Sequence, residues 1–229
     1  MSYKHFIQNK ITKNIIKWSS ALFILTIAFS GTANLQGSKV LALSDSELVE
    51  KLDKIFFFGI YDKQNNERAK YENRELYFVS EDDAKKALAN IHNKNPESSE
   101  SIYIVRYSLE ILRNKYNILY VPDLEEVDIA ETISKASQQP YQGGVPVFVG
   151  KVNNNYLVLS GDNSPEIIPV FFRKQHLDSF AAKFTAQNQE FADEIETEVL
   201  SLKDLIKLLE DSDESVVKKI RLIPYYTEL

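Results

Sequence analysis

Two kinds of hydrophobic pattern alternate along the chain from residue 44 onward. Uninterrupted apolar runs at 55–60 and 167–172 predict strands covered on both faces, because a strand with one wet face alternates polar and apolar residues. Other stretches carry apolar residues at spacings of three and four, which is typical of a helix with one buried stripe. These stripes are Ala84, Ala87, Leu88 and Ile91; Leu177, Phe180, Ala181 and Phe184; Leu109, Leu112 and Tyr116; and Leu202, Leu205 and Leu209.

The order of these patterns repeats along the sequence. Phe78, at the end of one strand, corresponds to Phe171, and the helical stripes that follow have the same spacing. A later strand at 119–122 corresponds to one at 221–224. We therefore predict an α/β fold of two structurally similar halves. Each half is expected to follow the order helix, strand, strand, helix, strand, helix, strand.

Short polar motifs support these boundaries. Ser44, Ser80 and Ser201 each stand three residues before an acid, as in the capping box that begins many helices. Three consecutive asparagines at 153–155 predict a hairpin turn, because asparagine tolerates positive φ. The segment 139–144 contains proline and two glycines, and we expect it to be the hinge between the halves.

The first 42 residues differ from the rest of the chain. They carry five lysines, no acid and one apolar stretch at 18–29, which is shorter than a bilayer-spanning helix of roughly 20 residues. Val40 and Ala42 supply the small side chains that a signal peptidase reads. We predict a signal peptide at 1–42, cleaved after Ala42, and hence export. Cleavage after Ala33 and an uncleaved N-terminal anchor are the alternatives.

Removing this segment changes the charge of the protein. The remaining chain, with predicted halves 43–123 and 124–229 in one structural domain, has 22 basic and 33 acidic residues, a net charge of −11. Such a surface argues against nucleic acid as a partner and against more than peripheral contact with anionic membranes. The sequence has no cysteine, which excludes disulfides and thiol chemistry.

Residues that could carry catalysis are few and scattered. His92 and His176 stand apart from any pairing motif, and we interpret both as histidines on helix surfaces. Glu125 and Glu126 begin a predicted helix, where acids favour the positive end of the helix dipole. Nucleophile elbows, phosphate-binding loops and zinc motifs are missing. We therefore expect a protein that is not an enzyme and has no metal or cofactor; an enzyme using serine, lysine or acids is the alternative.

The doubly apolar strands allow two interpretations. One places them at the centre of the protein with helices on both sides. The other leaves one face open as a groove for apolar ligands or peptide, because exposed aromatic side chains are a cost that binding sites maintain. The candidate contact residues for such a groove are Phe57, Phe148, Val170 and Phe172, each of which the first interpretation places in the core.

Three segments of the second half carry a resemblance to a known family. They are 145–148 (VPVF), 168–178 (IPVFFRKQHLD) and 196–202 (ETEVLSL), in that order. This series resembles the Tic twenty-two family, named after a small component of the translocon at the inner envelope of chloroplasts and found also in cyanobacteria. The resemblance extends over about residues 44–229. The first half departs from it, because 55–58 (IFFF) lacks the proline of VPVF.

The resemblance implies a two-halved α/β fold with pseudo-two-fold symmetry and apolar grooves, and a chaperone-like role in holding unfolded polypeptides. On physical grounds, such grooves would remove apolar client segments from water, and an acidic rim would keep the complex soluble. The expected location of the protein is the periplasm, with the plastid intermembrane space or the thylakoid lumen as other settings. The implied partners are unfolded precursor or outer-membrane proteins and Omp85-type assembly machinery or an envelope translocon. A periplasmic binder of a small apolar ligand and a scaffold are the alternatives.

Overall fold

The structure is a computed structural model that describes residues 22–24, 43–94, 96, 100–137, 141–153, 155–161, 164–211 and 215–226. The predicted cleavage site at Ala42, most of the predicted signal peptide and part of the predicted hinge lie outside these residues. No helix within the described ranges is long and apolar enough to span a bilayer. The elements are, in order, β1 (Leu22–Ile24), α1 (Asp45–Leu52), β2 (Phe56–Asp62), β3 (Glu67–Arg68), β4 (Lys70–Tyr71), β5 (Arg74–Phe78), α2 (Glu81–Lys94), β6 (Ile102–Ser108), α3 (Leu109–Arg113), β7 (Ile118–Val121), α4 (Leu124–Ser137), β8 (Pro146–Val152), β9 (Asn155–Gly161), β10 (Ser164–Phe171), α5 (Lys174–Gln187), a short 3₁₀ helix (Gln189–Phe191), β11 (Ile195–Ser201), α6 (Leu202–Asp211), α7 (Ser215–Lys219) and β12 (Ile220–Ile223).

The strands form two mixed sheets, as the α/β prediction requires. In the first sheet, β2 pairs antiparallel with β6 on one side and with β3 and β5 on the other, and β5 pairs parallel with β7. In the second sheet, β8 pairs antiparallel with β11, β9 and β10, and β10 pairs parallel with β12. The strand β1, from the predicted signal peptide, pairs antiparallel with β9.

A central core lies between the two sheets. Phe57 and Tyr77 enter it from the first sheet, and Val147, Val170 and Phe172 enter it from the second half. Helices α1, α3, α6 and α7 add leucines and valines to the same core. Burial of apolar area at this interface stabilises the fold by about 25 cal/mol per Å², so the two halves stabilise each other.

Each sheet also has an outer core on its other face. Helix α2 covers the outer face of the first sheet, where Phe58, Ile60 and Phe78 are buried. Helices α4 and α5 cover the outer face of the second sheet around Phe148 and Phe171. The prediction that the apolar strands are covered on both faces is therefore confirmed.

The local motifs give most of the expected element boundaries. Ser44 and Glu47 form a complete capping box at α1, and the hydroxyls of Ser80 and Ser201 accept N–H groups at the starts of α2 and α6. Val152 of β8 pairs with Asn155 of β9, as the predicted hairpin requires, and Asn153 has φ 50°.

Two expectations about helices were wrong. Helix α3 ends at Arg113, and Tyr116 is 93% exposed instead of extending the buried stripe, because the turn that follows leads directly into β7. The second half contains an additional short helix, α7, in the stretch before its last strand. Its Val216 and Val217 are buried in the central core, which explains why this stretch is helical.

Candidate functional site

The four predicted contact residues are all buried. Phe57, Val170 and Phe172 belong to the central core, where the Phe57 and Phe172 rings meet edge to face with centroids 6.5 Å apart. Phe148 lies in the outer core of the second sheet, beneath α5. The structure thus brings three of the four together and separates the fourth. Their burial favours the core interpretation, and contact with a client at these positions stays a prediction.

A cleft of about 420 Å³ opens where the two halves meet. One wall comes from α1 and from Leu43, two residues before it, and the other from the start of β10 and from β12. The apolar part of the surface includes the partly buried Ile167 and Pro224. The side chains around the cleft are Leu43, Glu47, Glu50, Lys51, Lys54, Pro165, Glu166, Ile167, Lys218, Lys219, Ile220, Arg221, Leu222, Ile223 and Pro224.

Charged side chains hold the walls of this cleft together. Lys51 of α1 donates to the backbone carbonyls of Lys218 (2.9 Å) and Ile220 (2.6 Å), and burial lowers the pKa of its ammonium group. Lys219 pairs with Glu166 at 2.8 Å. Five basic and three acidic residues surround the cleft, so the expectation of an acidic rim is wrong here. An apolar cleft with a basic border suits segments that combine apolar and acidic residues.

A second feature is a buried polar junction where α4, α5 and the C-terminal segment meet. Asp123 accepts the Glu125 N–H (2.9 Å) and the Tyr225 hydroxyl (2.6 Å). Glu126 accepts the Lys174 N–H (2.9 Å), and so its carboxylate lies at the N-terminus of α5. The junction therefore ties the beginnings of two helices to the end of the described chain.

Glu126 has a different role from the one that its sequence position indicates. It stands in the first turn of α4, but the residue is only 5% exposed and its carboxyl group caps α5 instead. Burial raises the pKa of Glu126 to about 7, against the effect of the Lys174 N–H and of the Arg173 guanidinium 3.8 Å away. Since Arg173, at the N-cap of α5, makes no side-chain capping bond, a carboxyl oxygen of Glu126 supplies the acceptor for an N–H group at this helix end.

The interpretation of His176 as a histidine on a helix surface was wrong. Its side chain is buried in the first turn of α5, and burial lowers its pKa to about 4, with Arg173 acting in the same direction. Its Nδ1 has no hydrogen-bond partner among the described residues. The imidazole is therefore neutral at pH 7. The spacing of His176 from Leu177 and Phe180 placed it beside the apolar stripe, which was the available signal of burial.

A third feature is a partly exposed aromatic group near the C-terminus. Tyr226 stacks on Phe56 with ring centroids 6.3 Å apart, and the Arg106 guanidinium lies 4.2 Å from the Phe56 ring centroid. The Tyr226 hydroxyl accepts the Phe56 N–H at 3.2 Å. Sequence reasoning missed this group, because Tyr226 follows the last predicted strand and nothing in the pattern placed it on β2.

The described residues contain no group of three or more histidine, cysteine, aspartate or glutamate side chains placed to hold a metal ion. The polar junction has only two carboxylates, and both are engaged by N–H or hydroxyl donors. Its arrangement explains helix capping and the attachment of the C-terminal segment.

Comparisons with known proteins agree with this architecture. The fold is similar to that of Anabaena Tic22, a protein-transport protein, with a TM-score of 0.68 and 16% identity, covering 80% of this chain and 94% of that one. It is also similar to Tic22 from Plasmodium falciparum, with a TM-score of 0.57 and 19% identity over 76% of this chain and 90% of that one. No curated protein matches the sequence significantly. The model of the Tic22-like family matches residues 10–229, and the chain therefore belongs to the Tic22-like family.

Proposed function

We propose that this protein takes part in protein transport as a non-enzymatic, chaperone-like factor that holds unfolded polypeptides in the cleft between its halves. The observation that carries the proposal is the cleft of about 420 Å³, with Leu43, Ile167 and Pro224 on its surface. Membership of the Tic22-like family supports it, and so does the role of Anabaena Tic22 in protein transport.

The physical basis is burial of apolar client segments. An unfolded polypeptide that places a leucine or phenylalanine side chain in the cleft removes it from water, which is worth roughly 1.5–3 kcal/mol per fully buried side chain. One or two such contacts give weak binding, which suits a protein that must release its client without a nucleotide. The charged border keeps the complex hydrated.

We also propose export to the periplasm. The five lysines and the apolar stretch of residues 1–42 support a signal peptide cleaved after Ala42, and the net charge of −11 on the remainder suits a freely diffusing protein. Unfolded outer-membrane or precursor proteins would be the clients. An Omp85-type assembly machine or an envelope translocon would receive them.

The matching strand pairings support the internal repeat. In each sheet a central strand pairs antiparallel along its length with a later strand, β2 with β6 and β8 with β11. Each sheet also contains one parallel pair, β5 with β7 and β10 with β12. We propose that the two halves arose as a repeat and are related by pseudo-two-fold symmetry about the central core.

The volume of the cleft also falls in the range of small-molecule sites, which span about 300–1,000 Å³. Such sites are mostly apolar, whereas eight ionisable residues surround this one. A polypeptide, whose backbone and side chains are partly polar, fits this border better than a wholly apolar ligand.

The test is suppression of aggregation. A denatured outer-membrane β-barrel protein is diluted into buffer with the full chain, and light scattering is compared with that in the presence of an equal amount of albumin. We expect suppression near one-to-one stoichiometry, lost in Leu43→Glu and retained in Val49→Glu. Val49 is the matched control because it is an exposed apolar residue of α1 that does not line the cleft.

Scattering equal to that with albumin would overturn the proposed holding function. If solvent extraction of the purified protein then yielded a bound apolar small molecule, the ligand-binding alternative would replace it. Circular dichroism of both variants shows whether a loss of suppression is a loss of folding.

A further inference from the structure

The strand β1 occupies an edge of the second sheet. Leu159 of β9 pairs with Ile167 of β10 on one side and with Leu22 of β1 on the other. The register continues as Phe23 with Val158 and ends at Leu157. A segment of the predicted signal peptide therefore fills a backbone edge that the rest of the described chain leaves unpaired at these residues.

The edge of β9 has the composition of a strand that accepts another strand. Its seven residues, Asn155–Gly161, include no charge and no proline. Leu157 and Val158 are buried in opposite cores, so the backbone edge lies between two apolar layers. Natural sheets usually blunt an exposed edge with charges, proline or a very short strand, because an open edge recruits other chains.

Other edge strands of this protein carry such protection. β11 contains Glu196 and Glu198, β6 contains Arg106 and β12 contains Arg221. β7 is uncharged, but it has only four residues and is followed by Pro122. The seven-residue, uncharged edge of β9 thus lacks the protection that these other edge strands have.

We propose that the edge of β9 is a strand-addition site, which takes an extended, apolar, uncharged segment of a client polypeptide in antiparallel pairing. In a chain that keeps its N-terminal segment, β1 fills the site and blocks it. In a chain cleaved after Ala42, the site is open to clients. The inference rests on the proposed holding function and adds to it a second mode of client binding.

Strand addition would give a selectivity different from that of the cleft. Backbone hydrogen bonds provide affinity without reading sequence, while alternate side chains of the added strand meet the two apolar layers. The preferred segments would therefore be apolar on both faces and free of charge, as Leu22–Ile24 itself is. Segments with a charge every second residue would be rejected, because a charge buried without a partner is costly.

The experiment uses the full chain and three variants of its N-terminal segment. Phe23→Pro removes a backbone N–H and disfavours β1, Ile24→Pro does so independently, and Phe23→Val preserves a strand-forming residue as the control. Hydrogen exchange at 157–159 is followed by mass spectrometry, with and without a peptide of residues 20–29 carrying two lysines at each end.

We expect slow exchange in the wild type and in Phe23→Val. Exchange at 157–159 should become at least tenfold faster in either proline variant, with an unchanged circular dichroism spectrum, and the added peptide should restore protection. A denatured β-barrel protein added to either proline variant should likewise slow exchange at 157–159.

Unchanged exchange in both proline variants, or faster exchange that the peptide does not reverse, would overturn the inference. The proposed holding function would survive that result if the full chain still suppressed aggregation. Conversely, protection of β9 by the peptide without any suppression of aggregation would support the strand-addition site and contradict the holding function.

Discussion

The strand that follows the central strand, β2 or β8, differs between the two sheets. In the first sheet it is β3, two residues long and made of Glu67 and Arg68. Arg68 donates to the Tyr107 hydroxyl (3.2 Å) and pairs with Glu75 (3.4 Å), so its charge is held against the sheet. In the second sheet it is β9, seven residues long and uncharged. The first sheet closes its edge, whereas the second leaves an edge that β1 fills.

The helices that follow β5 and β10 also begin differently. Helix α2 has three acids in its first turn and a neutral cap from Ser80. Helix α5 has no acid in its first turn and takes the buried carboxylate of Glu126 from α4. The same element order therefore supports a self-contained helix start in one half and a pH-sensitive one in the other.

The largest expected effect tests whether the halves share one core. Phe57→Ala and Phe172→Ala should each cost about 3–5 kcal/mol in the free energy of unfolding, because each leaves a cavity in the central core. Since their rings are in contact, the double variant should be less destabilised than the sum of the two, by 0.5 kcal/mol or more. Urea unfolding measures all three values.

The control for that cycle pairs Phe57→Ala with Phe148→Ala. Phe148 belongs to the outer core of the second sheet, so these two effects should add to within about 0.5 kcal/mol. Additivity for the Phe57 and Phe172 pair would contradict a shared central core.

The next effect concerns the pH dependence of the cap on α5. The pKa of Glu126 is about 7, above its ordinary value of 4.5, so the folded state binds this proton more tightly. The contribution of Glu126 to stability therefore falls as pH rises from about 4.5 to 7, by up to about 3 kcal/mol. Glu126→Gln, which keeps an oxygen acceptor for the Lys174 N–H, should be more stable than the wild type at pH 8 and similar at pH 4.

His176 acts in the opposite direction. Its pKa is about 4 instead of 6.5, so its contribution to stability is lost as pH falls from about 6.5 to 4. Once Glu126→Gln has removed the opposing effect of Glu126, the stability of the protein should rise as pH rises from about 4 to 6.5. Adding His176→Phe to this variant should remove the rise. Chemical unfolding at half-unit pH intervals checks both slopes, and a flat profile for Glu126→Gln would contradict the assignment.

A smaller effect is expected at the corresponding cap in the first half. Ser80→Ala should destabilise the protein by about 1 kcal/mol, because one N–H at the start of α2 loses its acceptor. The change should be the same at pH 5 and pH 8, since no titrating group replaces the hydroxyl. A loss that grew with pH would show that the two helix starts are less different than the structure indicates.

The smallest effect separates two positions that the predicted repeat made equivalent. Tyr116 is exposed beyond the end of α3, and Tyr116→Ser should change the free energy of unfolding by less than about 0.5 kcal/mol. Leu209, in the last turn of α6, is fully buried, and Leu209→Ala should cost about 2–5 kcal/mol. Comparable effects at both positions would indicate that Tyr116 is buried as part of a longer helical stripe, as the sequence pattern predicted.

Much of the fold could be predicted from the sequence, because it depends on local signals. The doubly apolar runs became β2 and β10, and the Ser44, Ser80 and Ser201 motifs fixed the starts of three helices. These features follow from residues a few positions apart, which the sequence shows directly.

The candidate site was harder to predict from the sequence, because it depends on contacts between residues that are far apart in the chain. The cleft requires α1 to lie beside β12, and the role of Glu126 requires the start of α4 to lie against the start of α5. In the sequence, an acid in the first turn of a helix has the same pattern whether its carboxylate is buried or on the surface. The four phenylalanine and valine candidates were chosen by strand pattern, which identifies core positions and contact positions equally.

The most direct test of the account is hydrogen exchange of the wild-type chain with and without a denatured outer-membrane β-barrel protein. The account predicts added protection at the cleft, in 43–54, 165–167 and 218–224, and no change in β2, β3 and β6 of the first sheet. Protection confined to the first sheet, or no protection anywhere despite suppressed aggregation, would contradict it.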